Sequence, residues 1–109
     1  MNVRLYLWQR GTAALLAPLI LVHLAIIFYA TRHGVSAADI LSRTRGSIFW
    51  LVFYGLFVVA AAIHASIGVR NVLSEWSPLG EKNSGRLAVA FGFLLLALGL
   101  RAVAAVVFP

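Results

Sequence analysis

The sequence predicts an all-α membrane protein with three transmembrane helices and the N-terminus on the inner side. Of its 109 residues, 62% are hydrophobic and only 11% are charged, whereas soluble domains contain about 45–50% apolar and about 25% charged residues. The apolar residues lie in three runs of roughly 20 residues, long enough to cross a hydrocarbon core about 30 Å thick. We therefore expect residues 1–109 to form one transmembrane domain with little mass outside the bilayer.

The first predicted span covers about residues 11–30, "GTAALLAPLILVHLAIIFYA". Pro18 lies inside it and is expected to bend the helix locally, because proline removes one hydrogen bond from the ladder. No small-residue cleavage site follows a short apolar core. The segment is therefore expected to be a retained helix rather than a removed signal peptide.

The connection over residues 31–47 contains "SAAD", Ser36 to Asp39. This is the pattern of a capping box with Asp in the place of Glu or Gln. It predicts a short interfacial helix near residues 37–43.

The second predicted span covers about residues 48–69, with an aromatic first half and a second half rich in Ala, Ser and Gly. Aromatic residues near an end indicate an interfacial belt. Small residues indicate close approach by another helix or by a flat ligand. A turn-rich loop leads to the third span, about residues 87–108, in which Gly92 and Gly99 share a face because they lie seven positions apart.

The formal net charge is +6, which in this context favours lipid headgroups as partners. No basic cluster with interleaved aromatics is present, so no nucleic-acid partner is predicted. Lys and Arg are in excess on the side of the N-terminus and second loop, which predicts that this side faces inward. The five residues there are Arg4, Arg10, Arg70, Lys82 and Arg86; the three in the first loop are Arg32, Arg43 and Arg45.

The chain has no cysteine, which excludes disulfides and iron–sulfur ligation by this chain. It also lacks a carboxylate pair, a Ser–His–Asp set, a phosphate loop and zinc-ligand spacing. We therefore expect it to be non-catalytic alone. Three spans are too few to bury a cofactor unaided, which indicates one part of a larger assembly.

Polar groups within the hydrocarbon are costly and usually functional. His64 lies about 9 Å along the helix from Arg70, Gly68 follows it by one turn on nearly the same face, and Ala60 and Ala61 flank that face. An imidazole between small residues fits an axial ligand of haem iron; the alternative is a histidine hydrogen-bonded across a helix interface. Arg70 lies where a haem propionate or a quinone carbonyl could meet it.

His23 lies roughly 19 Å along the first helix from Arg10, deeper than His64 by about 10 Å. The two are not expected to ligate one haem together; each would serve a different haem, or His23 is simply packed. Arg101 is expected to snorkel to the outer surface, the alternative being an ion pair with an outer haem propionate. Gln9 and Arg10 would line a quinone pocket or anchor the helix.

Two stretches, "QRGTAALLAPLILVH" and "HASIGVRNVLSEW", resemble the small membrane-anchor (cytochrome b) subunits of succinate dehydrogenase and fumarate reductase. In that family an Arg–x–Thr–Ala motif opens the first helix, and His–x3–Gly followed by an acidic–aromatic pair closes the second. The matching residues are Arg10, Thr12, Ala13, His64, Gly68, Glu75 and Trp76. The three-span layout matches as well, so the resemblance covers most of the chain.

The resemblance implies an electron path in which a flavoprotein oxidises succinate, iron–sulfur clusters carry the electrons, and quinone is reduced at the anchor. It implies that His64 ligates haem b and that His23 occupies the place of a ligand to a second, outer haem. A second membrane-anchor subunit or a second copy of this chain would supply the opposite ligands, in a bacterial inner membrane. The acidic–aromatic pair is usually Asp–Tyr, with the tyrosine at the quinone; here Glu75 and Trp76 replace it, and an indole N–H still donates a hydrogen bond.

Two other functions stay open at this point. One is a haem-free anchor that docks the soluble subunits and binds quinone. The other is a small transporter or assembly subunit, which would place a polar or acidic residue along a path in the third span; that span contains only Arg101.

Overall fold

The computed structural model describes residues 2–109, which form four helices and no strand. Their bounds are Val3–His33 (α1), Ala37–Thr44 (α2), Ile48–Trp76 (α3) and Gly80–Val107 (α4). Within these residues, α1, α3 and α4 are each long and apolar enough to cross a membrane. The predicted class, an all-α protein with three membrane helices, is confirmed; which end faces inward stays a prediction.

The three long helices extend beyond the predicted spans. They contain 31, 29 and 28 residues, whereas about 20 suffice to cross the hydrocarbon. α1 begins at Val3 and runs through Pro18 without ending there, and α3 continues past the apolar run to Trp76. The polar ends of these helices therefore project to the membrane surfaces.

The short helix α2 confirms the capping box. Ser36 Oγ accepts a hydrogen bond from the Asp39 amide at 3.1 Å, and Asp39 Oδ2 accepts one from the Ser36 amide at 3.3 Å. These bonds from Ser36 hold the pKa of the Asp39 carboxyl below its usual value. Arg43 donates to the Gly34 carbonyl at 2.8 Å, which ties α2 back to the end of α1.

α3 packs against both α1 and α4, and its interface with α4 is the larger of the two. Two glycines of α4 permit this approach: a Cβ at Gly99 would lie 2.5 Å from Val58 Cγ1, and one at Gly92 would lie 3.0 Å from Ser66 Cβ. Ser66 Oγ also donates to the Ala88 carbonyl at 2.8 Å. Small residues and an interhelical hydrogen bond thus hold α3 and α4 together, as is usual between membrane helices.

The end of α2 satisfies carbonyls at the C-terminus of α4. Thr44 Oγ1 donates to the Val106 carbonyl at 2.7 Å, and the Gly46 amide donates to the Val107 carbonyl at 2.8 Å. The last carbonyls of a helix have no partner within it. The first loop therefore caps the third membrane helix and fixes α2 against its end.

Candidate functional site: an intramembrane histidine and its groove

His64 is hydrogen-bonded to α1 through one ring nitrogen. Its Nδ1 lies 3.2 Å from the Gln9 carbonyl oxygen and 3.1 Å from Thr12 Oγ1. The Thr12 hydroxyl lies 2.7 Å from the Trp8 carbonyl oxygen and donates to it. A carbonyl oxygen can only accept, so the network assigns the proton to His64 Nδ1.

The other ring nitrogen of His64, Nε2, has no hydrogen-bond partner among residues 2–109. In a neutral imidazole protonated at Nδ1, Nε2 carries the free lone pair. Metal-ligating histidines typically donate their other N–H to a carbonyl, carboxylate or water, which fixes the ring and raises its basicity. His64 has this arrangement, and the lone pair of its Nε2 has no partner among residues 2–109.

A shallow apolar groove of about 430 Å³ surrounds the ring. It is lined by Gln9, His64, Ala65, Gly68, Val69, Val72, Leu73 and Phe91; we call it the His64 groove. A Cβ at Gly68 would lie 3.6 Å from Gln9 Nε2, an ordinary contact distance, so Gly68 and the Gln9 side chain border the same part of the groove. Gln9 Oε1 is buried without a partner in the described part of the chain.

The two alanines expected beside His64 do not line this groove. Ala60 is only 3% exposed, so it has no surface left for a cofactor. Ala61 is half-buried and lies outside the lining. The small residues next to the imidazole are instead Gly68 and Ala65.

His23 occupies a separate place, edge-on to two aromatic rings of α3. Its ring centroid lies 5.7 Å from that of Tyr54 and 5.4 Å from that of Phe57. Its Nδ1 is buried without a partner in residues 2–109, and the ring borders a cavity of about 320 Å³ together with Thr44 and Gly99. His23 lies eleven positions along α1 from Thr12, the neighbour of His64. That is about 16 Å of helix, so the two imidazoles lie at different levels.

Arg70 does not join His64. Arg70 follows His64 by six residues, and each residue of a helix adds about 100° of rotation. After one full turn is subtracted, Arg70 lies roughly 240° round α3 from His64. It lies against α4, where a Cβ at Gly85 would be 3.6 Å from Arg70 Nε. It lines a different cavity, with Lys82 and Arg86.

The other candidate residues are exposed and also lie outside the His64 groove. The Arg10 guanidinium lies 5.8 Å from the Tyr6 ring centroid. Glu75 and Trp76 end α3, with Trp76 83% exposed. Arg101 is exposed on α4.

Thr12 and the Gln9 carbonyl are the residues that reasoning from the sequence missed as partners of His64. Thr12 is a polar residue within an apolar run of the sequence, and the cost of leaving its hydroxyl unpaired there is the signal that could have found it. The Gln9 acceptor is a backbone atom, and no side-chain pattern marks it. Among residues 2–109, no three metal-binding side chains come together, so a metal held by His64 needs its other ligands from a macrocycle or a partner.

The fold and this site define a class: helical, multi-pass membrane proteins that present an imidazole on an open apolar groove. Residues 2–100 match the family described as succinate dehydrogenase/fumarate reductase transmembrane subunit. The chain belongs to this family and is a membrane-anchor subunit.

One curated relative is the NADH-quinone oxidoreductase subunit N of Parafrankia sp. (strain EAN1pec), 34% identical over 99 residues. The alignment covers 86% of this chain but only 18% of that protein, so the similarity concerns a short segment of a much longer chain. No solved structure matches the chain.

Proposed function

We propose that this chain is the haem b-bearing anchor subunit of a bacterial succinate:quinone oxidoreductase. It would pass electrons from the iron–sulfur subunit to membrane quinone and dock the soluble subunits on its inner face. The observation that carries the proposal is the hydrogen bonding of His64: Nδ1 is committed to the Gln9 carbonyl and Thr12, and Nε2 is free.

The residues around His64 fit a haem. Nε2 of His64 would bind the iron, while the Gln9 carbonyl and the Thr12 hydroxyl hold the ring in one orientation and one tautomer. Gly68 and Ala65 are the small residues of the groove, where a flat ring would lie next to the imidazole, and the lining is mostly apolar. A bound haem would supply one-electron transfer in this place.

A second protein ligand to the iron would come from outside this chain. His23 lies about 16 Å away along the helix, and His33 lies at the end of α1, with its Nδ1 3.0 Å from the Tyr29 carbonyl oxygen. The His64 groove is shallow and open, which suits a second anchor subunit, or a second copy of this chain, that covers it. The quinone would bind near the inner end of α3, where Trp76 and Glu75 are exposed.

A second haem at His23 is the finer part of the proposal. Its support is the cavity that the His23 ring borders together with Thr44 and Gly99, which leaves open space beside the imidazole. A ligand from the partner would complete this outer site.

The test is haem per complex, measured as the pyridine haemochrome after purification with the flavoprotein and iron–sulfur subunits. We expect a b-type band in the reduced-minus-oxidised spectrum of the wild type. His64→Ala removes or shifts the inner haem signal, whereas His33→Ala, a matched control at an exposed histidine, leaves it unchanged. His23→Ala affects a separate haem of different potential.

Each part of the proposal can fail separately. A wild-type complex without a b-type band leaves a haem-free quinone-binding anchor. An unchanged spectrum in His64→Ala contradicts ligation by His64. Loss of one and the same haem in both variants contradicts the two-haem version.

A further inference from the structure

We propose that the inner ends of α3 and α4 form a specific site for one anionic phospholipid. Its phosphate would lie between Arg70, Lys82 and Arg86, and an acyl chain would follow the seam between the two helices. We call this cavity, of about 590 Å³, the basic groove. It is lined by Leu5, Ser66, Ile67, Arg70, Lys82, Gly85, Arg86, Ala88 and Val89.

The three cations of the basic groove have no acidic partner among residues 2–109. They come from two helices, Arg70 from α3 and Lys82 and Arg86 from α4, and border one cavity. In the described range, no carboxylate lies within 4.0 Å of any of them. Three uncompensated cations on one cavity fit a phosphate, which accepts several charge-assisted hydrogen bonds at once.

Gly85 explains how Arg70 reaches this place. A Cβ at Gly85 would lie 3.6 Å from Arg70 Nε, so the guanidinium rests on the bare backbone of α4. Arg70 follows the apolar run of α3, and Arg86 precedes that of α4. The cations therefore lie at the membrane surface, at the level of lipid headgroups.

The basic groove continues into the membrane as an apolar furrow. A second cavity of about 350 Å³ between α3 and α4 shares Ser66, Ile67 and Val89 with it and extends to Leu96. Lys82 and Leu96 lie fourteen positions apart, about 21 Å of helix, which takes the furrow from the headgroup level to about the middle of the bilayer.

This shape distinguishes a lipid from other anions. Ser66 lines the basic groove, but the Ser66 hydroxyl already donates to the Ala88 carbonyl and does not offer its proton to an anion. A free phosphate or an acidic protein segment would leave the apolar furrow uncovered, whereas a phospholipid fills both parts. Lipid binding at the basic groove does not depend on haem, because Arg70 lies on a different side of α3 from the His64 groove.

The test uses the full-length chain, purified from membranes with the subunits that stay bound, and delipidated in a nonionic detergent. Binding of dioleoylphosphatidylglycerol and of dioleoylphosphatidylcholine is titrated by native mass spectrometry. We expect one phosphatidylglycerol to bind in clear preference. Lys82→Gln with Arg86→Gln weakens its binding about 25-fold, since one cation near the surface contributes about fivefold. Arg32→Gln with Arg45→Gln, the same charge change in the first loop, leaves binding unchanged.

Two further measurements test the apolar half and the source of the phosphate. Val59→Phe, at an exposed position that lines the furrow but not the basic groove, weakens dioleoylphosphatidylglycerol but not a short-chain phosphatidylglycerol. Inorganic phosphate does not displace the lipid at equal concentration. Equal affinity for the two lipids, equal loss in both double variants, displacement by phosphate, or no effect of Val59→Phe would each overturn the proposal.

Discussion

Thr12→Val tests whether the hydrogen bonds of His64 serve ligation. Valine has nearly the shape of threonine but lacks the hydroxyl that lies 3.1 Å from His64 Nδ1. Thr12 is 6% exposed, so no water replaces the hydroxyl easily. The Gln9 carbonyl at 3.2 Å stays as the one acceptor for the Nδ1 proton.

The expected magnitude follows from the loss of one of two acceptors. A hydrogen bond contributes about 0.5–1.5 kcal/mol, and about 1 kcal/mol corresponds to roughly fivefold in an equilibrium constant. Groups that orient metal-bound histidines typically contribute about 10–100-fold to metal affinity. Because Gln9 still holds the ring, we expect haem to bind about 5–10-fold more weakly and the midpoint potential of the inner haem to shift.

The assay is haem retention by the purified complex during dilution into apomyoglobin, together with a redox titration of the b-type band. Thr31→Val is the matched control, because Thr31 also donates its hydroxyl to a carbonyl of α1 at 2.7 Å but is exposed. Unchanged haem affinity and potential in Thr12→Val, or an equal change in Thr31→Val, would refute the reasoning that Thr12 acts through His64.

Three further outcomes are expected. Gly99→Ala would place a Cβ 2.5 Å from Val58 Cγ1 and should destabilise the α3–α4 pair by about 1–3 kcal/mol. Thermal unfolding in detergent measures this loss of stability. Gly55→Ala is the unaffected control, because a Cβ at Gly55 would meet no atom within 4 Å. Gly68→Leu should crowd the imidazole and lower haem per complex, and unaltered loading would contradict the role of the glycine. The pKa of Asp39 is lower in the folded protein than its usual value. The ionised carboxylate therefore stabilises α2 at pH values above the usual pKa, and this stabilisation is lost as the pH falls through the lower folded pKa. Hydrogen exchange at α2 should therefore rise in acid in the wild type but not in Asp39→Asn.

The number of membrane helices and the position of α2 could be predicted from the sequence, because both have local causes. Apolar runs of span length have few alternatives in a chain this hydrophobic. The Ser36 and Asp39 pair marks a helix start through hydrogen bonds to neighbouring amides. The spacing of seven between Gly92 and Gly99 also predicts that they share one side of a helix, and the structure shows that this side packs against α3.

The partners of His64 could not be predicted in the same way, because they depend on how two helices dock. Helical periodicity placed His64, Gly68 and Ala60 near one another, but it does not say which side of α3 faces α1. The structure buries Ala60 and leaves Gly68 on the open groove. The short distance along the helix between His64 and Arg70 suggests one site. The rotation of roughly 240° between them about the helix axis instead places Arg70 in another groove.

The two grooves of α3 have a consequence for assembly. Under the proposed haem ligation, the His64 groove would need a protein partner, because the chain supplies one imidazole there and a second ligand would come from elsewhere. The basic groove begins with unpaired cations and ends in an apolar furrow, which suits lipid. Since they open on different sides of one helix, a partner subunit can cover the first without displacing lipid from the second. Lipid would then stabilise α3 and α4 from a different side of α3 than the proposed haem, and its removal should loosen the α3–α4 pair before it affects the haem spectrum.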